Sequence, residues 1–114
     1  DQGERDTAAN TGTTVYVAIN YGGRQEIVQA VNRALQSGKR EITKDDISAN
    51  VYTVPDCDLV IRPSGEQRLS NFLLWQAAYS EFWYSDVLWP DFTEQDLAEA
   101  LHAYENRNRR FGGR

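Results

Sequence analysis

Residues 58–81 read DLVIRPSGEQRLSNFLLWQAAYSE, and this stretch decides both the fold and the place of a binding site. It begins with a short apolar run at residues 59–61, which is typical of a buried strand. Residues 63–65 are Pro-Ser-Gly, a combination that predicts a tight turn. Ser70 suits the N-cap of a helix over residues 71–79, because its hydroxyl can accept a hydrogen bond from the first turn. The stretch therefore predicts a strand, a turn and a helix.

The end of this predicted strand carries side chains that suit an anion. Arg62 stands where the strand ends, and Arg68 and Ser70 follow the turn. A guanidinium group has planar, forked donors that match phosphate oxygens, and the start of a helix favours negative charge. In open α/β sheets, ligands bind beyond the carboxyl ends of the strands, where this loop would lie. The pattern therefore predicts a phosphate-binding site.

The same charges also permit a purely structural interpretation. Arg62, Glu66, Arg68 and Glu81 could form surface ion pairs that only brace the turn, as clustered charges often do. The stretch contains neither a GxGxxG fingerprint nor a Walker loop, so no general motif decides the matter. On the residues alone, both interpretations stay open.

The composition narrows the class of protein. The 114 residues are 40% hydrophobic and 25% charged, the balance of a soluble globular chain of one domain or part of one. The net charge of −5 argues against nonspecific nucleic-acid binding. No apolar run approaches the roughly 18 residues that a membrane span needs. The single cysteine, Cys57, excludes an internal disulfide, fits a reducing cytosol and is expected to be a buried thiol.

The rest of the chain alternates between strand and helix patterns. Residues 14–19 form an apolar, β-branched run that predicts a strand buried on both faces, and residues 82–84 predict a further strand. Helices are predicted over residues 24–36, over residues 44–50 with Thr43 and Asp46 at capping-box spacing, and after Thr93 to about residue 107. This alternation indicates an α/β fold, a parallel sheet flanked by helices.

The predicted helices differ in how much of their surface must be buried against other parts of the protein. An apolar stripe on the first of them comprises Ile27, Val28, Val31, Ala34 and Leu35, and one on the last comprises Leu97, Ala100, Leu101 and Tyr104. Residues 72–79 are apolar nearly all the way round, so that helix must be buried on most sides. We expect either a missing half of the domain or a second subunit to cover it.

The residues also limit which metal the chain could hold. One Cys and one His exclude a zinc site in practice. Oxygen ligation of Mg²⁺ together with a phosphate remains, since Mg²⁺ takes one or two carboxylates, waters and substrate oxygens. Glu81 is the best-placed carboxylate because it follows the predicted buried helix. Asp86 and Asp91 are weaker candidates.

Three segments of the chain resemble a known family. Residues 61–92, IRPSGEQRLSNFLLWQAAYSEFWYSDVLWPDF, look like the C-terminal signature region of the cis-prenyltransferases, or undecaprenyl (polyprenyl) diphosphate synthases. Residues 10–28, which contain VYVAINYGGR, are similar to the middle strand and following helix of that family. The ending RRFGG at residues 109–113 resembles its C-terminal RxG tail. The resemblance runs from about Asn10 to the end of the chain.

That resemblance implies an activity and a set of site residues. Family members use Mg²⁺ to condense isopentenyl diphosphate with an allylic diphosphate, and they form Z double bonds in a growing polyprenyl chain. The residues matching those that hold isopentenyl diphosphate are Arg62, Arg68, Leu69 and Ser70, with Arg110 and Gly112 in the tail, and Glu81 matches a metal-binding glutamate. The resemblance also implies a homodimer in the cytoplasm, at most peripheral to the membrane that receives its product.

One family feature is missing from these 114 residues. The family carries an Asp-Gly-Asn-Gly-Arg-Trp loop that binds the allylic diphosphate, and no such run occurs here. The chain also begins at Asp1 and contains no Met, so we expect residues 1–114 to be a single partial domain, the C-terminal half of a longer enzyme. It would hold no principal catalytic residue and would be inactive alone. The alternatives are a non-catalytic partner or regulatory subunit of a prenyltransferase dimer, and a general phosphate-binding module.

Overall fold

Two parallel strands and four α-helices make up the computed structural model, which describes residues 1–52 and 54–107. In chain order the elements are α1 (Gln2–Thr7), α2 (Gly23–Gln36), α3 (Lys44–Asn50), β1 (Leu59–Arg62), β2 (Glu81–Tyr84) and α4 (Glu94–Glu105). A single 3-10 turn, Trp89–Asp91, precedes α4. Helix α2 packs on α3, and α4 packs on β2.

The two strands confirm the predicted parallel α/β class. Leu59 lies opposite Glu81, and Arg62 lies opposite Tyr84. Backbone hydrogen bonds extend the pair at both ends, from Glu81 N to Asp58 O at 2.9 Å and from Ser85 N to Arg62 O at 3.2 Å. Both strands predicted in this half of the chain therefore form, and they pair with each other.

Helix caps are the most accurately predicted local features. Thr43 and Asp46 form a reciprocal capping box at the start of α3, and Thr93 and Asp96 form another at the start of α4. In each box the threonine hydroxyl accepts from the backbone of the third helical residue, and the aspartate accepts from the threonine backbone. These contacts span three residues, so the local sequence is enough to specify them.

The strand predicted at residues 14–19 is wrong for the structure as described. These residues have no regular secondary structure, and Val15 and Val17 are each 78% exposed while Ile19 is 83% exposed. A buried strand needs neighbouring strands to satisfy its backbone groups, but the described sheet consists of β1 and β2 alone. Residues 14–19 have the apolar pattern of a strand, but the described structure contains no neighbouring strand to which their backbone hydrogen-bonds.

The helix predicted at residues 71–79 is also wrong. Ser70, Asn71 and Leu73 have φ angles of 51°, 65° and 48°, in the left-handed region that a right-handed helix cannot include. Isolated turn bonds replace the helical ladder, such as Ala77 N to Leu73 O at 2.8 Å. Ser70 is therefore not a helix cap. We call residues 69–80 the irregular segment.

The interior is small and lined by small side chains. The buried face of α2 comprises Gly23, Glu26, Ala30 and Ala34, whereas Val28 and Leu35 of the predicted stripe are 60% and 49% exposed. On α4, Ala100 is fully buried, while Leu97 and Leu101 are exposed. The predicted apolar stripes thus lie on helices that do form, but only some of their residues are on the buried face. Cys57 is half-buried, and its thiol donates to Leu59 O at 3.2 Å.

No helix within the described ranges has the length and apolar character that crossing a membrane requires.

Candidate functional site

The carboxyl end of β1 is held by the segment that follows β2. Ser64 and Gly65 have φ angles of 69° and 72°. Ser64 N donates to Val87 O at 2.8 Å, and Gly65 N donates to Ser85 O at 2.9 Å. The Ser64 hydroxyl in turn accepts from Trp89 N at 3.3 Å. Three hydrogen bonds to the backbone of Ser85, Val87 and Trp89 therefore fix the turn after Arg62.

Arg62 is the last residue of β1, at the edge where an α/β sheet places its ligands. It is half-buried, and across residues 1–52 and 54–107 its guanidinium forms no ion pair or hydrogen bond. An unpaired guanidinium is a strong donor group for an incoming anion. Arg62 therefore fits the predicted phosphate-binding role better than the ion-pair interpretation.

Arg68 fits the ion-pair interpretation. Its Nε donates to Glu66 Oε2 at 2.8 Å, and its Nη2 donates to the same oxygen. The Arg68 side chain is 72% exposed, so the pair contributes little to stability. An arriving anion could therefore take Arg68 from Glu66 at small cost.

Leu69 and Ser70 begin the irregular segment. Leu69 is half-buried, and its carbonyl accepts from Phe72 N at 3.1 Å. Ser70 is exposed, and within the described part of the chain its hydroxyl has no hydrogen-bond partner. The hydroxyl is available to a ligand, although the local backbone is not the helix start that the sequence suggested.

Glu81 lies at the opposite end of the strand pair from Arg62. It pairs with Leu59, three residues before Arg62, which is about 10 Å along a strand. Its Oε2 is 3.3 Å from Nη1 of Arg107, which also donates to Phe82 O. The backbone does not bring the two predicted residues together, so only their long side chains could approach one ligand.

The carboxylates of the described residues fit Mg²⁺ only in part. No group of three or more His, Cys, Asp or Glu side chains there is arranged to hold a metal ion. Glu81 is half-buried and can supply one carboxylate, and the weaker candidates Asp86 and Asp91 are exposed. Because Mg²⁺ commonly completes its shell with substrate phosphates and water, Glu81 suits a metal that arrives with a diphosphate.

Arg110 and Gly112 lie outside the described residues, as does the rest of the predicted RxG tail.

Asn71 joins the irregular segment to α2, a role that the local sequence pattern does not predict. Its carbonyl accepts from Gly23 N at 2.7 Å, and its Oδ1 accepts from Arg24 N at 2.9 Å. Its Nδ2 donates to Gln25 Oε1 at 3.3 Å. The available signal was that Gly22, the N-cap of α2, has no side chain to cap the helix. Such a helix start needs an acceptor from elsewhere in the chain.

A buried polar cluster lies beneath this junction, formed by Glu26, Gln76, Tyr21 and the backbone of Tyr52. Glu26 is 3% exposed and Gln76 is 2% exposed. Gln76 Nε2 donates to the two Glu26 oxygens at 3.2 and 3.1 Å, Tyr21 donates its hydroxyl proton to Oε1, and Tyr52 N donates to Oε2 at 2.8 Å. The sequence signal was the place of Glu26 on the helix face shared by Gly23, Ala30 and Ala34. We call these groups the Glu26 cluster.

Tyr21 remains a proton donor in this cluster over a wide pH range. Burial, followed by the hydrogen bond to Glu26 and the charge of that carboxylate, raises the pKa of Tyr21 far above its usual 10.0. The ring also packs edge-on against Phe72, with centroids 5.6 Å apart. Tyr21 thus ties the irregular segment to α2 through both its ring and its hydroxyl.

The family of the chain follows from comparison with known proteins. A family model described as "Putative undecaprenyl diphosphate synthase" matches residues 1–112. The chain belongs to this prenyltransferase family. The predicted resemblance is therefore confirmed.

Individual members of the undecaprenyl diphosphate synthase family agree with that match. The isoprenyl transferase of Fusobacterium nucleatum is 55% identical over 96% of this chain and 48% of its own length. That of Clostridium perfringens is 53% identical over 94% of this chain and 46% of its own length. The chain thus spans about half the length of the curated relatives it matches.

A solved structure supports the fold of the family. Lavandulyl diphosphate synthase from Lavandula x intermedia, crystallised with dimethylallyl diphosphate, superposes with a TM-score of 0.87 at 38% identity. The match covers 97% of this chain and 51% of the lavandulyl enzyme. The arrangement of helices around the parallel strands is therefore that of a prenyltransferase.

Proposed function

We propose that this chain supplies the isopentenyl diphosphate site of a cis-prenyltransferase. The whole protein would condense isopentenyl diphosphate with an allylic diphosphate to make a Z-polyprenyl diphosphate. Family membership supports the reaction class. The observation that carries the site is the guanidinium of Arg62, which stands without a partner among the described residues at the carboxyl end of β1.

In this proposal the residues after β1 bind the diphosphate and orient the rest of the molecule. Arg62 meets the phosphate oxygens with two parallel N–H donors, and Arg68 adds a second fork after leaving Glu66. The Ser70 hydroxyl donates one further hydrogen bond, with Leu69 as the connecting backbone. Arg110 and Gly112 are proposed at the same site by resemblance. Fixing the headgroup positions the double bond that attacks the allylic carbon.

We also propose that Glu81 contributes one carboxylate to Mg²⁺, together with diphosphate oxygens and water. Bound there, Mg²⁺ would neutralise developing charge on the phosphate oxygens. Arg107 holds Glu81 Oε2 at 3.3 Å, so Glu81 must exchange this partly exposed ion pair for the metal. Such an exchange is inexpensive because exposed pairs contribute little.

Glu81→Ala should therefore raise the Mg²⁺ concentration needed for half-maximal activity about tenfold, the size of effect of losing one charged ligand contact. The measurement is initial rate against free Mg²⁺ in the native protein, produced from its natural gene. Glu41→Ala is the matched control, because Glu41 is an exposed glutamate away from the strands. A Glu81→Ala titration that superimposes on that of the wild type contradicts the metal assignment.

The reaction itself is tested by incubating the native protein with isopentenyl diphosphate, an allylic diphosphate and Mg²⁺. Polyprenyl diphosphate with new Z double bonds, lost on chelation of Mg²⁺ and regained on its return, is the expected product. A native protein that binds isopentenyl diphosphate but forms no such product would instead favour the second candidate.

That second candidate is a non-catalytic partner or regulatory subunit of a prenyltransferase dimer. A native protein that contains no Asp-Gly-Asn-Gly-Arg-Trp run anywhere in its sequence would favour this candidate. It predicts that activity appears only when a catalytic subunit is added. A general phosphate-binding module predicts equal affinity for inorganic diphosphate and isopentenyl diphosphate in calorimetry.

We further propose a cytoplasmic homodimer. Phe72 and Tyr79 of the irregular segment are 40% and 58% exposed, and burying such apolar rings would stabilise an interface. The lone thiol of Cys57 suits a reducing compartment.

A further inference from the structure

Asn71 is half-buried and makes three hydrogen bonds to the first turn of α2. Its carbonyl and its side-chain oxygen accept hydrogen bonds from two successive backbone amides of α2, those of Gly23 and Arg24. Its side-chain nitrogen donates to Gln25. Both amides belong to the first turn, whose N–H groups have no partner within the helix. Asn71 thus serves as the distant cap that Gly22 does not provide.

The backbone around Asn71 needs such a restraint. Ser70, Asn71 and Leu73 are all non-glycine residues in the left-handed region, which is sterically unfavourable for a residue with a Cβ atom. Such a run persists only where surrounding contacts hold it. Asn71, which makes the contacts to α2, directly follows Ser70 and lies three residues after Arg68. These contacts therefore restrain the backbone that carries both residues.

On the α2 side of this junction, Gly23 allows the irregular segment to approach the helix closely. A Cβ atom at Gly23 would lie 2.7 Å from Leu74 Cγ and 2.9 Å from the carbonyl oxygen of Asn71. Real Cβ atoms do not approach backbone oxygen so closely, so the irregular segment can approach α2 only because residue 23 is glycine. Hydrogen bonds hold the segment against α2, and the missing side chain leaves room for it.

We propose that Asn71 is a positioning residue, which sets the affinity for isopentenyl diphosphate by clamping the Arg68–Ser70 backbone onto the start of α2. Asn71 itself does not touch the ligand in this proposal. The inference rests on the proposed function, because the ligand it names is the one assigned to Arg62, Arg68 and Ser70.

The sharpest test is Asn71→Gly in the native protein. Glycine keeps the left-handed backbone and the main-chain bond to Gly23, and it removes only the side-chain bonds to Arg24 and Gln25. We expect the KM for isopentenyl diphosphate to rise about tenfold, since small misplacements of binding groups cost one or two powers of ten. We expect kcat and the KM for the allylic diphosphate to change less than about twofold. Asn10→Gly, a loop asparagine in an exposed position, is the control.

Gly23→Ala gives an independent variant on the other side of the junction. Its Cβ should push the irregular segment away from α2, and the same selective rise in KM is expected. Circular dichroism and thermal melting of each variant show whether it is folded. A rise in both KM values together with an equal loss of kcat indicates general damage and overturns the positioning role, as does an unchanged KM in folded Asn71→Gly.

Failure of the proposed function gives a different result. If the wild-type protein itself binds no isopentenyl diphosphate in calorimetry, the ligand assignment falls, and the positioning role falls with it. If the wild type binds and turns over isopentenyl diphosphate while Asn71→Gly behaves identically, only the positioning role is overturned.

Discussion

Replacing Arg62 by alanine is expected to raise the KM for isopentenyl diphosphate about a hundredfold, as removal of one partner of a desolvated, charge-assisted pair usually does. Arg62 is half-buried and its guanidinium has no partner elsewhere in the described chain, so its whole donor capacity is available to the ligand. Steady-state rates of the native protein, with the allylic diphosphate saturating, measure the change. The KM for the allylic diphosphate should stay within about twofold.

Two further variants make the Arg62 result specific. Arg62→Lys keeps the charge but loses the forked geometry, so we expect it to recover only part of the affinity. Arg40→Ala removes an exposed arginine from the loop before α3 and should leave both KM values unchanged. An Arg62→Ala protein with wild-type KM for isopentenyl diphosphate removes Arg62 from the site.

Arg62 is expected to contribute more to isopentenyl diphosphate binding than Arg68, because Arg62 has no ion-pair partner in the described structure whereas Arg68 is paired with Glu66. Arg68 must first leave Glu66, and its long exposed side chain must then be ordered. Arg62 is already held by β1 and by the turn fastened to Ser85 and Val87. The sequence could not distinguish them, since both appear only as arginines near a turn.

Local sequence predicted those features that depend on neighbours in the chain. The capping box of Thr43 with Asp46 occurs as expected, and Thr93 begins the last helix as expected, there with a capping box of its own. Such contacts need only residues three positions apart. Strand β1 was predicted from its branched apolar residues and its flanking turn. The place of Arg62 at a strand end follows from that prediction, and so the main candidate binding residue was found without a structure.

Features that depend on distant partners could not be predicted in the same way. Residues 14–19 have the composition of a buried strand, but a ladder requires a second strand that the local pattern does not specify. Residues 71–79 have good helical composition, yet Asn71 bonds to α2, 46 to 48 positions earlier in the chain, and adopts a left-handed backbone instead. Tertiary contacts therefore decided both outcomes against local preference.

Glu26→Ala is expected to lower the free energy of unfolding by about 3 kcal/mol or more, because each buried polar group left without a partner costs roughly 1–3 kcal/mol. The change would remove the acceptor of three donors at once: Gln76 Nε2, the Tyr21 hydroxyl and Tyr52 N. Glu26 and Gln76 are almost fully enclosed, so water cannot readily replace the carboxylate. Urea unfolding of the native protein, followed by circular dichroism, measures the loss.

Glu26→Gln separates the hydrogen bonds of the Glu26 cluster from its charge. A carboxamide whose oxygen takes the Oε2 position still accepts from Tyr52 N, and its nitrogen at the Oε1 position can donate to the Tyr21 hydroxyl oxygen. We therefore expect Glu26→Gln to lose far less stability than Glu26→Ala, and the exposed Glu41→Ala to lose almost none. If Glu26→Ala unfolds at the same urea concentration as Glu41→Ala, the Glu26 cluster does not hold α2 to the irregular segment.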